Sequence, residues 1–490
     1  MQPKLELLSN ELVSRILDEA HQLLINPGIK VQSPEARELL LAAGARPGGI
    51  ESVISVPDEI IQDALATVPN EFHLYNHAGE AAVRYGGDAV HFDPGSSAVH
   101  VLDPDTLEHR PAQTADLVKV IKLAETLPQY DAQSTALVCH DVPTEIGDLY
   151  RLYLVLLYSQ KPVVTGAFSA HTTRHMIDML AIYAGSRDAL RQKPRAVFDV
   201  CPSPPLIWSE FGAQNLIDLA RAGVPAEIVS MPLAGAAAPV TLIGSIVQHT
   251  AECLSGIAIH QLAKPGAPVV WGGAPAIMDM RHGTTPMGAI ETAMLDIGYA
   301  QVAKFLGLST HAYLGASDAK LVDAQAGLES GVSTVIGAMA GINMISGAGM
   351  LDFLACVSPE KLVMDAEAIA MAKRLLDGIQ VHTETLATEL FEGINFKGDF
   401  LKQKITRQLF RKEQNIPSEI IDRGSIRAWQ NSGKSDAFQR ARQRANDLLA
   451  GYQRPAAPAD LENELHAFVE GLSKAAGLDK LPLGRDQAHF

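Results

Sequence analysis

The densest chemistry in the chain is a run of seven residues, Ser317-Asp318-Ala319-Lys320-Leu321-Val322-Asp323, in which four side chains are polar or charged. Asp318, Lys320 and Asp323 could position a polar substrate. The two acids could equally do no more than cap the helix that follows, and the lysine could simply pair with one of them. A second run, Ser346-Gly347-Ala348-Gly349, offers glycines, which let the backbone come close to a ligand. Each run follows a short apolar stretch, 309–314 and 342–345, and a helix of mostly small residues, 325–339, is predicted between them. Two strand-to-helix junctions of a barrel would have this layout, and such loops at the C-terminal ends of strands are where barrels carry their chemistry.

The elements around these runs alternate in the same way. Apolar runs at 133–139, 162–168, 196–201, 227–231, 269–271, 309–314 and 342–345 predict seven parallel strands covered by helices, with an eighth near 381–385 or 391–394. This rhythm predicts an α/β fold, a (β/α)8 TIM barrel over residues 131–395. A doubly wound sheet would need a glycine-rich phosphate loop, and neither GxGxxG nor GxxxxGK[ST] stands at a strand-to-helix junction. Before the barrel, residues 1–130 predict helices over 9–25, 33–43 and from Pro57 to before Pro69, then a hairpin-rich flap over 72–103. After it, residues 396–490 predict an appended helical layer.

A hydrophobic content of 47% excludes a mainly disordered chain, and a net charge of −16 disfavours nucleic acid, which needs clustered Lys and Arg. No apolar run approaches the roughly 18 residues of a membrane span, and the first residues lack a signal-peptide layout, so a cytoplasmic protein is expected. Symmetric assemblies are common among soluble enzymes, so a homo-oligomer is expected. The four cysteines show no CxxC spacing, so no disulfide framework or zinc ribbon is expected. Were a zinc present, Cys139, His140 and Cys201 would be its first ligands to test. The predicted strand ends are rich in Gly, Ala, Pro and Met, which implies a smooth, neutral mouth suited to a bulky cofactor or to a cation held by aromatic faces.

The block Asp318-Ala319-Lys320, followed by Asp323-Ala324-Gln325-Ala326-Gly327, and the block Ser358-Pro359-Glu360-Lys361-Leu362 carry a specific resemblance. With Gly28-Ile29-Lys30-Val31, Asp93-Pro94-Gly95, Arg110-Pro111-Ala112 and Asp422-Arg423 before Trp429 and Gly433, the chain resembles the trimethylamine methyltransferase superfamily over nearly its whole length. One departure is the stretch 393–401, where relatives often have a Gly-Pro-Gly-Gly turn. The resemblance implies a barrel methyltransferase that passes a methyl group from a methylated amine to Co(I) of a corrinoid (cobalamin-type) cofactor, supplied by a separate partner protein. The chain has only standard residues, which resembles the branch without pyrrolysine and implies a quaternary amine, glycine betaine first. Proline betaine, carnitine or a trimethylamine-like substrate is the alternative, and a non-catalytic betaine-binding barrel is the rival outside catalysis. A quaternary nitrogen leaves as a neutral amine, so no acid or base is required and positioning dominates. Phe92, Tyr313 and Phe353 are the candidate cage for the cation, and His311, Lys320 and the amides near Gly347 and Gly349 the candidate donors to its carboxylate.

No resident metal is expected. Activity should therefore survive exhaustive dialysis against a strong chelator; its loss together with stoichiometric zinc would contradict this, as measured by metal analysis alongside turnover.

Overall fold

In a computed structural model, which describes residues 3–382, 384–393, 396 and 400–483, parallel strands alternate with helices. The strands are β1 (His91–Pro94), β2 (Gln133–Ser134), β3 (Val163–Gly166), β4 (Ala196–Val200), β5 (Ala226–Ser230), β6 (Val269–Gly273), β7 (His311–Ala312) and β8 (Met344–Ala348). The helix after each is, in order, α1 (Thr114–Thr126), α2 (Thr144–Tyr158), α3 (Ala170–Ala184), α4 (Glu210–Ala222), α5 (Leu242–Ala263), α6 (Ile290–Phe305), α7 (Ala324–Met339) and α8 (Pro359–Leu376).

Strands β2 to β6 form one parallel sheet in chain order, and β7, β8 and β1 form another. A parallel bridge from Trp271 to Thr310 links β6 to the approach to β7. On the other side the amides of Asp131 and Ala132, just before β2, donate to the Phe92 carbonyl at 2.8 and 3.3 Å. The seven apolar runs read from the sequence all contain strands. The eighth partner is not where it was expected: 388–391 is a short 3-10 helix and the described residues of 381–385 hold no strand, while Thr383 and Ile394 lie outside the described residues. The partner is β1, from the segment expected to be a flap. Its four residues are too few to stand out by pattern, and its pairing with β8 spans about half the chain.

The hairpin Phe72–Tyr75 with Ala81–Tyr85 closes the end at which the strands start. Its Leu74, Val83 and Tyr85 pack with Ala132 just before β2 and with Val164, Val197, Val270 and Met344, one residue from each of β3, β4, β6 and β8. Phe72 stacks on Tyr85 with ring centroids 4.8 Å apart. Alternation along each strand then sends the residue two places further on into the next interior layer, which is where the polar groups lie.

Helix α5 is apolar nearly all round, and by length and composition it could cross a membrane, which the sequence reading did not anticipate. It is instead buried on most of its surface, because the N-terminal helices Asn10–Ile25, Pro34–Ala42 and Asp58–Thr67 pack over it as α4 and α6 flank it. In the C-terminal section the helices Ala437–Gly451 and Ala459–Ala475 pack on the outer helices, the first on α8 and α1, the second on α2 and α3.

The resemblance-bearing block at 358–362 has a structural job. Ser358 caps α8 by accepting from the Lys361 amide at 3.2 Å, and Pro359 takes the first turn, where its missing N–H costs nothing. Lys361 then reaches inward: its ammonium donates to Asp365 Oδ2 at 2.6 Å and to Ser330 Oγ on α7 at 2.7 Å. The same Asp365 oxygen accepts from the Gly349 amide at 2.7 Å, so the pair ties two helices to the loop after β8. Lys361→Met strands a buried carboxylate, and urea unfolding should show a loss of about 3–5 kcal/mol, about half of it recovered by adding Asp365→Leu.

Candidate functional site

Above the apolar plug, three carboxyl groups share the interior: Asp93 on β1, Asp199 on β4 and Glu227 on β5. His311 on β7 and Ser346 on β8 complete the layer, and Tyr313, just past β7, stands over it. His311 Nε2 lies 2.9 Å from Ser346 Oγ, and Ser346 donates onward to Asp93 Oδ1. A hydroxyl that donates to the acid must accept from the imidazole, so the proton is assigned to Nε2 and the Nδ1 lone pair faces Glu227. Nδ1 and Glu227 Oε1 are 2.9 Å apart but misaligned for a hydrogen bond. Tyr313 donates to Asp199 Oδ2 at 2.8 Å, and its ring stands edge-on to His311 at 4.9 Å.

Many polar atoms here have no partner: Asp93 Oδ2, Asp199 Oδ1, both Glu227 oxygens, His311 Nδ1 and the Tyr85 hydroxyl, which rises from the plug. Gly272 makes room for the layer, since a Cβ there would lie 3.1 Å from both Glu227 Cγ and His311 Nδ1. Among the described residues no Lys or Arg is ion-paired to any of the three acids. Burial therefore raises Glu227 well above the carboxylate range, and raises Asp93 likewise, with the charges of Glu227 and Asp199 adding to it and the Ser346 hydrogen bond opposing. Burial and the neighbouring Glu227 push Asp199 up to about 7. Asp199 is also partly accessible, although its Oδ1 is enclosed. Burial holds His311 down at about 4, hence neutral. Glu227 and Asp93 are thus kept protonated for want of a positive charge, with Asp199 near the balance point, and a cation brought among them would favour their ionised forms.

The residues singled out from the sequence divide into two groups. His311 and Tyr313 are in this interior. Phe92 is not: alternation on β1 turns Asp93 inward and Phe92 outward, where the Lys373 ammonium of α8 lies 5.6 Å from its ring. Gly349 cannot offer its amide to a ligand, because Asp365 has taken it, and Gly347 serves a close approach, a Cβ there falling 2.4 Å from the Leu314 carbonyl oxygen. Asp323 caps α7, accepting from the amides of Gln325 and Ala326 at 2.9 and 3.2 Å. Asp318 instead accepts from the Met287 amide at 2.8 Å and so joins the loops after β6 and β7. Lys320 and Phe353 lie at the mouth, lining a groove of about 810 Å³ with Asp318 and Glu329. Burial pushes the Cys139 and Cys201 thiols up to about 12, which keeps them protonated, and among the described residues no three or more His, Cys, Asp or Glu side chains are arranged to hold a metal ion.

Sequence reasoning passed over Asp93, Asp199, Glu227 and Ser346 as site residues and described the strand ends as poor in charge. A signal was present. Asp199 and Glu227 are each a single acid inside an otherwise apolar strand of a parallel sheet, a position that is costly unless used.

Parallel strands covered by helices, with a polar pocket near the strand ends, define an α/β enzyme acting on a small molecule. The family description trimethylamine methyltransferase (MTTB) matches residues 1–477. The chain belongs to this family and is a methyltransferase. It is 30% identical to trimethylamine methyltransferase MttB of Desulfitobacterium hafniense over 462 residues, covering 94% of this chain and 93% of that one. It is 31% identical to trimethylamine methyltransferase MttB of Methanosarcina thermophila, covering 95% and 97%. A glycine betaine methyltransferase of Desulfitobacterium hafniense is 29% identical, with 97% and 98% covered. In fold, the chain is similar to the crystal structure of the Methanosarcina barkeri monomethylamine methyltransferase MtmB, with a TM-score of 0.52 at 13% identity over 91% of this chain and 89% of that one.

The raised Asp199 sets a pH dependence whose sign follows from linkage. A group protonated more readily when folded than unfolded stabilises below its unfolded value, near 4, and that stabilisation is lost as pH rises through about 7. Asp199→Asn, neutral at every pH, should lack this term. The difference in Tm, wild type minus variant, should fall between about pH 4 and 7 and then level; a flat difference would show that Asp199 is ionised throughout.

Proposed function

We propose that the protein demethylates a quaternary amine, glycine betaine first, handing the methyl group to a corrinoid carried by a partner protein. The observation that supports this reading best is the interior layer of three carboxyl groups without a basic partner, with unpartnered oxygens and the Tyr313 ring beside them. A fixed cation is the electrostatic complement of that layer, and its methyl groups suit the apolar collar of Val229, Ala276, Met287 and Tyr313 at the mouth. The cage read from the sequence is revised accordingly: carboxylates take the part given to Phe92, while Tyr313 keeps its place.

The family resemblance implies the corrinoid. The mouth fits such a group, because Phe168, Met231, Val240 and Met280, from the loops after β3, β5 and β6, are exposed there and offer a broad apolar rim to a flat macrocycle. A corrinoid in its Co(I) state supplies the nucleophile. The protein's own residues bind the ammonium, orient one methyl group toward the mouth and keep water out; the amine leaves neutral and needs no proton. In this reading the two sheets close into one (β/α)8 barrel that starts at β1 rather than at residue 131, with the C-terminal helices as an outer layer, and the protein works in the cytoplasm as a homo-oligomer.

A second reading, trimethylamine, is favoured by the unpartnered carboxyl oxygens, which would accept the N–H of a protonated tertiary amine. One assay separates the two. With a reduced corrinoid protein, glycine betaine should release N,N-dimethylglycine, detected by mass spectrometry, and Glu227→Gln should raise its KM at least about tenfold. Turnover of trimethylamine alone would select the second reading. Tight betaine binding without turnover of any amine would make the protein a binding barrel.

A further inference from the structure

The Phe353 ring already holds a cation, and it is one of the chain's own. Lys320 Nζ lies 3.9 Å from the centroid of the Phe353 ring, 3.0 Å from Asp352 Oδ1, and donates to the Asp318 carbonyl at 2.6 Å. The ring is presented by a costly piece of backbone. Asp352, Phe353 and Leu354 follow one another with φ of 50, 57 and 70°, the left-handed region that side chains other than glycine rarely enter. Three such residues in sequence persist only if the surroundings hold them. Here the Asp352 amide donates to the Ala319 carbonyl at 3.1 Å, the Ala355 amide to the Asp352 carbonyl at 2.9 Å, and Leu354 packs against the collar of Tyr313 and Met287. The turn thus drives Leu354 down toward the interior and leaves Phe353 lining the groove above it.

That groove, about 810 Å³, is lined by Asp279, Glu291, Asp318 and Glu329. Its Arg281 is engaged by Asp279 at 2.6 Å, so acids outnumber bases along the wall. An acidic groove with an aromatic wall attracts organic cations, and the Lys320 ammonium on Phe353 is an internal example of one so held. Lys320 has 55% of its side chain exposed, so its ammonium can return to water at little cost. A tetraalkylammonium ion is hydrated more weakly and gains more from the ring.

We propose that this groove is an outer binding station for quaternary ammonium ions, with Phe353 as its aromatic wall and Lys320 as a resident competitor that the incoming cation displaces before it reaches the interior acids. The station rests on the quaternary-amine reading for its purpose but can be tested without turnover. The probe is tetramethylammonium chloride, titrated at constant ionic strength into the full chain carrying Glu227→Gln, so that the interior acids contribute less to the signal, with binding read by saturation-transfer NMR. In that background Lys320→Met should tighten binding about threefold, Lys320→Arg should leave it unchanged, and Phe353→Leu should abolish the gain from Lys320→Met. Thermal unfolding checks that each variant is folded, and Lys320→Gln, which also removes the charge and carries the same expectation, takes the place of Lys320→Met if that variant does not fold. Equal affinity in all variants, or weaker binding in Lys320→Met, overturns the station. Absence of demethylation with the Lys320-dependent binding intact overturns the proposed function and leaves the station standing.

Discussion

Three carboxyl groups enclosed in one protein interior, with no Lys or Arg among the described residues ion-paired to them, are a constraint that the rest of this molecule answers. Ionised and unpaired, each would be strongly disfavoured in a low-dielectric setting, and the three would repel one another. The folded chain instead keeps Glu227 and Asp93 protonated and leaves Asp199 near the balance point, with Ser346 linking Asp93 to a neutral His311. The layer is therefore stable only in a state that is not its most favourable one for binding. A cation entering it turns the repulsion into attraction, which is why the unpartnered oxygens are better understood as ligand positions than as packing faults.

The surrounding structure holds that layer in place. Below it, the hairpin ending in Tyr85 seals the strand starts with Leu74 and Val83. Beside it, the Lys361–Asp365 pair fixes the loop after β8 through the Gly349 amide, and Gly347 lets β8 come close to the Leu314 carbonyl. These contacts come from α7, α8 and the loops between them, which include the blocks most specific to the family resemblance. Those blocks hold the frame of the site more than they touch its contents. At the mouth the order is reversed: the backbone of Asp352 to Leu354 is under strain, and what it presents to the groove is a ring and a lysine that can leave.

The sequence by itself determined the alternation of parallel strands and helices, because strands covered on both sides must be apolar runs of strand length, and seven of them were legible. It also determined local devices that act within a few residues, such as the Ser358 cap with Pro359 and the Asp323 cap of α7, and through its motifs it carried the family resemblance. His311 and Tyr313 could be placed near the site because they lie toward the end of one such run. The acids could not. In a strand apolar on both faces the period of two no longer tells inside from outside, so whether Phe92 or Asp93, Phe198 or Asp199 faces the interior has no local signature. That choice was made by the pairing of β1 with β8, across about 250 residues of chain, and by which neighbours β4 and β5 found. The seat of Lys320 on Phe353 is of the same kind, since two residues from different loops meet only once β7 and β8 lie side by side. Tertiary structure alone decided the chemistry of the site, because like-charged side chains come together only where the fold, against their own preference, puts them.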